Sequence, residues 1–221
     1  MIQITLDAAD ESKRIVTGSV RPDLPERIRM LEVEAKFRLP DPAAFRQRLT
    51  DLRAKFLGEE READIYLGAP DRDFARTDEA LRLRVGGEGT RLTYKGPRRD
   101  AITKTRTECE TTIIPGEQAA AEMLKLFGHL GYRRVAEVRK LRRTHEFLRG
   151  HFIVHVCEDH VEKVGQFVEI EIIVDREDHY EAAKGMLFEI AAELRLTEQE
   201  GRCYLEQLLG HTTVPGGEKP C

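Results

Sequence analysis

The stretch Leu31-Glu-Val-Glu-Ala-Lys-Phe-Arg-Leu39 alternates apolar and charged residues along its whole length. Successive side chains of a β-strand point to opposite faces of the sheet. Glu32, Glu34 and Lys36 would therefore share one face of such a strand, and the apolar residues would share the other. The stretch predicts a strand with one charged and one apolar face.

The same alternation recurs at several places along the chain. The further charged faces are formed by Arg82 and Arg84; Arg91, Thr93 and Lys95; Lys104, Arg106, Glu108 and Glu110; Lys140 and Arg142; and Glu169 and Glu171. A solvated sheet face explains any one of them. Solvated faces usually mix Thr, Ser, Gln and Lys, however, whereas here acids cluster on some strands and bases on others. If the sheet closes with this face inward, the charges line a common cavity. Such a cavity must be wet or hold a charged ligand, because dry unpaired charges cost several kcal/mol each.

The periodicity predicts an antiparallel α+β sheet, because runs of strands are joined by short links with helices inserted between them. The predicted strands are 31–39, 62–67, 80–86, 90–96, 103–113, 133–141, 142–148, 151–158 and 167–175. The predicted helices are 42–57, 117–130, 177–194 and 197–209. Gly86-Gly87-Glu88-Gly89 is a strong hairpin signal, and Asp41 is a plausible N-cap for the first helix.

Composition excludes several classes of protein. The 221 residues suffice for one full-sized domain, and the 36 basic and 40 acidic residues nearly balance. That balance argues against a protein that coats nucleic acid and against intrinsic disorder. Apolar runs are far shorter than the ~20 residues that span a bilayer, and the N-terminus has no apolar signal core. We therefore expect a soluble, cytoplasmic protein. The cysteines form no CxxC pair and are expected to be reduced structural thiols; they are Cys109, Cys157, Cys203 and Cys221.

The two ends of the chain differ from its middle. Residues 1–29 show no sustained period, so we expect a flexible extension there, or a true start at Met30. Residues 211–221 contain two prolines and two glycines and are expected to form a flexible tail. One domain, 30–210, is expected between them.

The two kinds of charge suggest a ligand. Clustered carboxylates suit a hard cation, Mg²⁺ or Mn²⁺. Clustered Arg and Lys suit a polyanion, with Arg giving bidentate contacts and Lys a point charge. Together they indicate a metal-bound polyphosphate. The sequence has neither a Walker loop nor a GxGxxG motif, so side chains must hold the phosphates.

Glu32-Val-Glu-Ala-Lys36 has the form ExExK, and with the motifs that follow it the chain resembles the CYTH superfamily, also called triphosphate tunnel metalloenzymes. The resemblance covers about residues 30 to 210. The further motifs are Asp64-Ile-Tyr66, Asp73 to Arg84, Leu92-Thr-Tyr-Lys-Gly-Pro97, Lys104 to Glu110, Lys140-Leu-Arg142, Asp159 to Glu171 and Arg202 to Leu209. The Asp-Ile-Tyr, Tyr-Lys-Gly-Pro and Val-Gly-Gln-Phe-Val-Glu stretches look most like the class IV adenylate cyclase branch.

The resemblance implies a closed eight-stranded antiparallel β-barrel, a triphosphate tunnel with helices packed on its outside. It implies that Glu32, Glu34 and Lys36 are catalytic. The implied metal ligands are Glu32, Glu34, Asp159, Glu169 and Glu171, with Glu108 and Glu110 binding directly or through water. The implied triphosphate ligands are Lys36, Arg82, Arg84, Lys95, Arg106, Lys140 and Arg142. Glu158 stands where an apolar residue is usual, which leaves open whether Glu158 or Asp159 faces the tunnel.

The sequence leaves three functions open. The first is a class IV adenylate cyclase, which would convert ATP to cyclic AMP and pyrophosphate. The second is a hydrolase of inorganic, thiamine or nucleoside triphosphate, and the third is a polyphosphate-binding module without catalysis. No membrane is expected as a partner, nor is nucleic acid, since no basic patch with interleaved aromatics is visible. Relatives often pair as dimers, so a homodimer is an open expectation. His151 and His155 are expected to be structural or surface residues, because hard cations prefer oxygen.

Overall fold

The computed structural model describes residues 31–87, 89–98, 106–113 and 117–211. The predicted extension, Met30, Lys104 and the tail beyond residue 211 lie outside them. The strands are β1 Leu31–Arg38, β2 Lys55–Gly68, β3 Ala80–Gly86, β4 Gly89–Arg98, β5 Arg106–Ile113, β6 Arg133–Arg149, β7 Phe152–Val161 and β8 Gly165–Val174. The helices are α1 Pro42–Asp51, α2 Phe74–Thr77, α3 Glu117–His129, α4 Tyr180–Glu193 and α5 Tyr204–His211, with a 3₁₀ turn at Glu177–His179 before α4.

All eight strands form one antiparallel sheet in the order β1-β8-β7-β6-β2-β3-β4-β5. The predicted α+β class is thereby confirmed. The hairpin predicted between β3 and β4 is also confirmed, with Gly86 paired to Gly89. The sheet curls so that its charged face is concave.

The expectation of a closed barrel was wrong, because the sheet is an open, curled half-barrel. Within the described residues, β1 and β5 are the two edges and no ladder joins them. A different segment occupies the edge of β1. The amide of Arg38 donates to the carbonyl of Glu198 at 2.8 Å, and the amide of Glu200 donates to the carbonyl of Lys36 at 2.8 Å. Gln199 thus pairs with Phe37, where a closing strand would have to pair.

The same pairing corrects the helix predicted over 197–209. Residues 198–200 are extended along β1, and the helix begins only at Tyr204. The helix predicted over 42–57 ends at Asp51, because Arg53 has a positive φ of 56° and Lys55 already pairs with Glu146 of β6. The strands predicted over 133–141 and 142–148 are one long strand, β6.

The convex face of the sheet carries the core. Val33, Val154 and Ile170 are fully buried and pack against Leu187 and Ile190 of α4. Burying a large aliphatic side chain contributes about 1.5–3 kcal/mol, so this cluster fixes which face of the sheet looks outward. The predicted packing of helices on the outside is confirmed, and the charged face is left to line the inside.

Two smaller expectations concern the membrane and the thiols. None of the helices in the described ranges is both long and apolar enough to cross a bilayer. Cys109, Cys157 and Cys203 are free thiols. Cys221 lies outside the described residues.

Candidate active site

The concave face of the half-barrel encloses a cavity of about 970 Å³, to which all eight strands contribute. It gathers nearly the whole predicted site. The predicted residues that line it are Glu32, Glu34, Arg82, Arg84, Lys95, Arg106, Glu108, Glu110, Lys140, Arg142, Glu169 and Glu171. Lys36 and Asp159, the remaining two, are almost fully buried beneath this lining.

Three carboxylates meet at β1 and β8. Each of Glu32, Glu34 and Glu171, the acidic trio, offers an oxygen within 4.8 Å of the others, and Glu34 lies opposite Glu171 in the ladder. Burial, together with Glu171 and Glu34, raises the pKa of Glu32 to about 8. Like charges held this close favour either a proton or a cation. A donor set made only of carboxylate oxygens fits a hard divalent ion.

Lys36, the last residue of the ExExK motif, lies next to α5. Its ammonium group donates to the carbonyl of Arg202 and lies 4.0 Å from the centre of the Tyr204 ring. Tyr204 in turn donates its hydroxyl to Asp159 at 2.8 Å and packs its ring against Phe167. The start of α5 therefore covers this end of the cavity.

Asp159, not Glu158, lies on the inner side of the sheet, beneath the cavity lining. Arg142 grips Asp159 with two hydrogen bonds of 2.8 and 2.7 Å. Burial opposes ionisation of Asp159, yet Arg142 and Lys140 keep its pKa below the ordinary value. Glu158 lies on the outer face, where Arg46 of α1 binds it at 2.9 and 2.5 Å. This settles the question that the sequence left open.

Arg142 contacts carboxylates on two neighbouring strands, β7 and β8. Its guanidinium donates to Glu169 and, at 3.3 Å, to Glu171. The guanidinium of Arg142 thereby links Asp159 and Glu169 to the acidic trio. Of the predicted metal ligands, the structure brings Glu32, Glu34 and Glu171 together, while Asp159 and Glu169 bind Arg142.

A second charged cluster includes acids that the sequence did not single out as site residues. Arg84 donates to Asp64 at 2.6 and 2.8 Å and to Glu62 at 3.1 Å, and Lys140 lies 3.2 Å from Glu62. Burial opposes ionisation of Asp64, but Arg82 and Arg84 hold its pKa well below its usual range. Further lining residues outside the predicted metal and triphosphate ligands include Glu60, Tyr66, Arg91, His155, Cys157, Cys203 and Tyr204.

Arg82 is less fully paired than Arg84. Its contacts are long, at 3.5 Å to Asp64, 3.4 Å to Thr93 and 3.9 Å to Glu110. Its Nε is buried and has no hydrogen-bond partner in the part of the chain that the structure describes. A buried donor without an acceptor costs free energy, so an anion in the cavity would satisfy it.

The β4–β5 side carries the remaining predicted residues. Lys95 lies 2.5 Å from Glu108, and Glu110 accepts a hydrogen bond of 2.7 Å from Thr93. Arg106 donates to the carbonyl of Gly96 at 3.2 Å. Negative charge on Glu108 contributes to the raised pKa of Glu32. The edge strands β1 and β5 therefore interact through their charged side chains, although no backbone ladder joins them in the described residues.

His155 does not lie on the outer surface. It lines the cavity opposite Glu171 in the β7–β8 ladder, and its Nε2 lies 3.1 Å from Glu146. The signal for its position was present in the sequence, because His155, Cys157 and Asp159 follow the period of a strand.

Comparison with known proteins identifies the family of the chain. The sequence profile of the CYTH domain matches residues 30–204. The chain is similar to "Putative adenylate cyclase MJ0240" of Methanocaldococcus jannaschii, with 33% identity over 80% of this chain and 98% of that protein. It is 34% identical to "Adenylate cyclase CyaB" of Aeromonas hydrophila, over 76% of this chain and 83% of that protein.

A solved structure is also similar. It is the PH1819 protein of Pyrococcus horikoshii OT3, which is 36% identical to this chain and superimposes with a TM-score of 0.72. The match covers 81% of this chain and 98% of that protein. The eight-stranded antiparallel fold agrees with this similarity. The chain belongs to the CYTH domain family.

Proposed function

We propose that this chain is a metal-dependent enzyme that acts on a triphosphate bound in the cavity, and specifically an adenylate cyclase that converts ATP to cyclic AMP and pyrophosphate. The observation that carries the proposal is the meeting of two charge sets on one concave face. The acidic trio suits a divalent cation, and buried arginines and lysines suit phosphate oxygens. Members of the CYTH family act on triphosphates, and two similar proteins are named as adenylate cyclases.

In this proposal Glu32, Glu34 and Glu171 hold Mg²⁺ or Mn²⁺. The ion, when bound, would neutralise charge on the phosphate oxygens. The other predicted metal ligands stay proposals; they are Glu108, Glu110, Asp159 and Glu169. Glu108 and Asp159 each contact a basic side chain, so they also orient the groups that meet the phosphates.

The phosphates would be held by the seven predicted basic residues, namely Lys36, Arg82, Arg84, Lys95, Arg106, Lys140 and Arg142. Arg82 supports this assignment most directly, because its Nε is buried without an acceptor among the described residues. Arg84 and Arg142 present forked guanidinium groups that match phosphate geometry. Asp64 and Asp159 occupy those forks in the structure, and in this proposal phosphate oxygens take the place of the two carboxylates.

Phosphoryl transfer depends mostly on alignment and charge neutralisation. In the cyclase, the ribose 3′-oxygen forms a bond to the α-phosphorus, the bond from that phosphorus to the bridging oxygen breaks, and pyrophosphate leaves. The hydroxyl proton is lost to the medium. The basic side chains would hold the leaving pyrophosphate and stabilise the charge that develops on it.

The second candidate is a triphosphatase, in which water attacks the γ-phosphorus. It uses the same acidic trio and the same basic groups, so the lining supports it equally; the branch motifs and the named relatives favour the cyclase. A non-catalytic module is disfavoured, because all of the predicted metal ligands are present as carboxylates. A cytoplasmic location and a homodimer belong to the proposal as well.

One incubation distinguishes the three functions. The protein is mixed separately with ATP, inorganic triphosphate and thiamine triphosphate in Mg²⁺ or Mn²⁺, and the products are identified by chromatography. Cyclic AMP with pyrophosphate supports the cyclase, whereas orthophosphate release supports the hydrolase. Binding without turnover would contradict the proposal and leave the binding module.

A further inference from the structure

The segment that pairs with the edge of β1 also binds the side chain of Lys36. This edge segment, residues 198–203, leads into α5. The amide of Glu200 donates to the carbonyl of Lys36 at 2.8 Å, and the ammonium group of Lys36 donates to the carbonyl of Arg202. The edge segment thus binds Lys36 at both its backbone and its side chain. Since only 1% of Lys36 is exposed, the groups packed around it determine where its ammonium group lies.

Glu200 holds the edge segment in the conformation that presents this carbonyl. Its carboxylate accepts hydrogen bonds from the amide of Arg202 at 3.1 Å and from the Arg202 guanidinium at 3.0 and 2.7 Å. It also accepts one from Arg38 of β1 at 2.9 Å. The hydrogen bonds from Arg202 lower the pKa of Glu200 to about 2, so these are bonds to a charged group. Glu200 is not among the residues that line the cavity, and it can influence the chemistry only through its neighbours.

Hydrogen bonds connect Lys36, Glu200 and Arg202 in a closed ring. The Glu200 amide binds the carbonyl of Lys36, the Arg202 amide binds the carboxylate of Glu200, and the Lys36 ammonium group binds the carbonyl of Arg202. The side-chain amide of Gln207 donates to the same carbonyl at 3.3 Å. The ring of Tyr204, which lines the cavity, lies 4.0 Å from the ammonium group. The ammonium group is therefore held next to the cavity lining.

The edge segment is also bound to β4, which lies beside the other edge of the sheet. Arg98, the last residue of β4, donates to the carbonyl of Gly201 at 3.2 Å. Its backbone amide and its Nε are held by the carboxylate of Asp78 at 2.8 and 3.0 Å. Because the segment pairs with β1 on one side and binds β4 on the other, the folded sheet determines where the carbonyl of Arg202 lies.

We propose that Glu200 is a positioning residue, which fixes the carbonyl of Arg202 and thereby holds the ammonium group of Lys36 where it meets the phosphate chain. This inference rests on the proposed function of the cavity. A lysine ammonium group sits on a flexible four-carbon stem, and a catalytic group contributes only when it is held in a productive geometry. An ammonium group has three N–H donors, so Lys36 can keep its bond to Arg202 while it donates to a phosphate oxygen.

The first test measures how firmly Lys36 is held, without any substrate. Glu200→Ala and the nearly isosteric Glu200→Gln are compared with Glu198→Ala, a control on the same segment whose side chain is 70% exposed. The folded proteins are treated with acetic anhydride, and acetylation of Lys36 is measured by mass spectrometry against the exposed Lys163. Relative acetylation of Lys36 should rise by roughly tenfold or more in Glu200→Ala, because hydrogen bonds to a charged group are lost, and by less in Glu200→Gln. The control should match the wild type.

The second test asks whether Glu200 acts on turnover through Lys36. The kcat and KM for ATP with Mn²⁺ are measured for Glu200→Ala, Lys36→Met and the double variant, with Glu198→Ala as the control. Glu200→Ala should lower kcat by roughly tenfold or more, since misplacing a catalytic group is costly. The KM should stay within about twofold, because the other basic residues of the cavity still bind the phosphates. In the Lys36→Met background, Glu200→Ala should have no further effect on the residual kcat.

Three results would overturn the inference. The first is unchanged acetylation of Lys36 in both Glu200 variants. The second is an equal loss of kcat in both backgrounds, which would show a purely structural role, and the third is a kcat that rises, which would show that the edge segment restrains Lys36. Glu200→Gln provides the test if the melting temperature shows that Glu200→Ala does not fold. A wild type that does not turn over ATP contradicts the proposed cyclase, while the acetylation result still decides whether Glu200 positions Lys36.

Discussion

Glu34 is the buried member of the acidic trio, and its charge can be removed with almost no change of shape. We expect Glu34→Gln to lower turnover by at least about 100-fold, because a bound cation contributes several kcal/mol of transition-state stabilisation and each 1.36 kcal/mol is a tenfold change in rate. The melting temperature should not fall, since the change relieves repulsion within the trio. Glu122→Gln, on the exposed side of α3, is the control. Near-normal activity in Glu34→Gln would remove Glu34 from the site.

The raised pKa of Glu32 predicts how the affinity for a divalent metal depends on pH. Its pKa is raised from 4.5 to about 8, so its extra proton favours the folded state fully below pH 4.5, and this contribution is lost as the pH rises through 8. A cation competes with that proton. We expect the affinity for Mn²⁺ to rise by roughly tenfold or more between pH 6.5 and 8.5, measured by calorimetry.

Glu32→Gln provides the control for this pH effect. The variant should bind Mn²⁺ more weakly and with a flatter pH dependence, because the titrating group is gone. An affinity in the wild type that does not change between the two pH values would show that Glu32 is ionised throughout.

The sequence predicts which strand face each charged residue occupies, but it does not predict which acid each base contacts. Arg82 and Arg84 follow the same period on β3, yet Arg84 is bound by Asp64 and Glu62 while Arg82 keeps a buried Nε without an acceptor in the described chain. The difference arises from the register between β2 and β3. The apolar–polar alternation of a strand predicts which face a side chain occupies, but it does not predict which residue of the neighbouring strand lies opposite.

Among the elements, α5 is the one whose contacts with the site can be tested apart from the chemistry. Tyr204→Phe removes a hydroxyl that donates to buried, charged Asp159. A hydrogen bond to a charged group contributes about 1.5–3 kcal/mol, so the free energy of unfolding should fall by about that amount in a urea titration. Tyr132→Phe is the control, because that ring packs against Phe127 away from the cavity. Equal losses in the two variants would show that the hydroxyl of Tyr204 stabilises nothing in particular.

Elements with a strict alternation were predicted almost to the residue, whereas those with a competing partner were not. The strand predicted over 80–86 is β3, and the hairpin that follows it is present. Residues 198–200 have no strand pattern of their own and become extended only because they pair with β1. Lys55 and Phe56 likewise continue the pattern of α1 but are paired with β6 in the sheet. Long-range pairing of this kind overrides local propensity.

For the molecule as a whole, the open edge between β1 and β5 is expected to respond to ligand. β5 is bonded only to β4 in the described sheet, while its Glu108 and the Glu32 of β1 repel one another. ATP with Mn²⁺ would screen that repulsion and, at 100 times its Kd, stabilise the fold by about 2.7 kcal/mol.

Amide hydrogen exchange measures this effect along the chain. We expect exchange in β5 to slow when ATP and Mn²⁺ are added, with a smaller change in α4, whose core residues are already buried. Uniform slowing over both elements would indicate general stabilisation without a response at the edge.

The carboxylates that hold the arginines in place also compete with any incoming anion for those arginines. When phosphate displaces Asp64 or Asp159 from its arginine, a negative group is left in a poorly hydrated interior, and that is costly. A ligand that brings divalent ions with it offers those displaced acids something new to coordinate. Simple sulfate, or a nucleotide stripped by a chelator, offers them nothing. On the proposed function, the cavity would therefore bind a phosphate chain that carries divalent ions in preference to other anions.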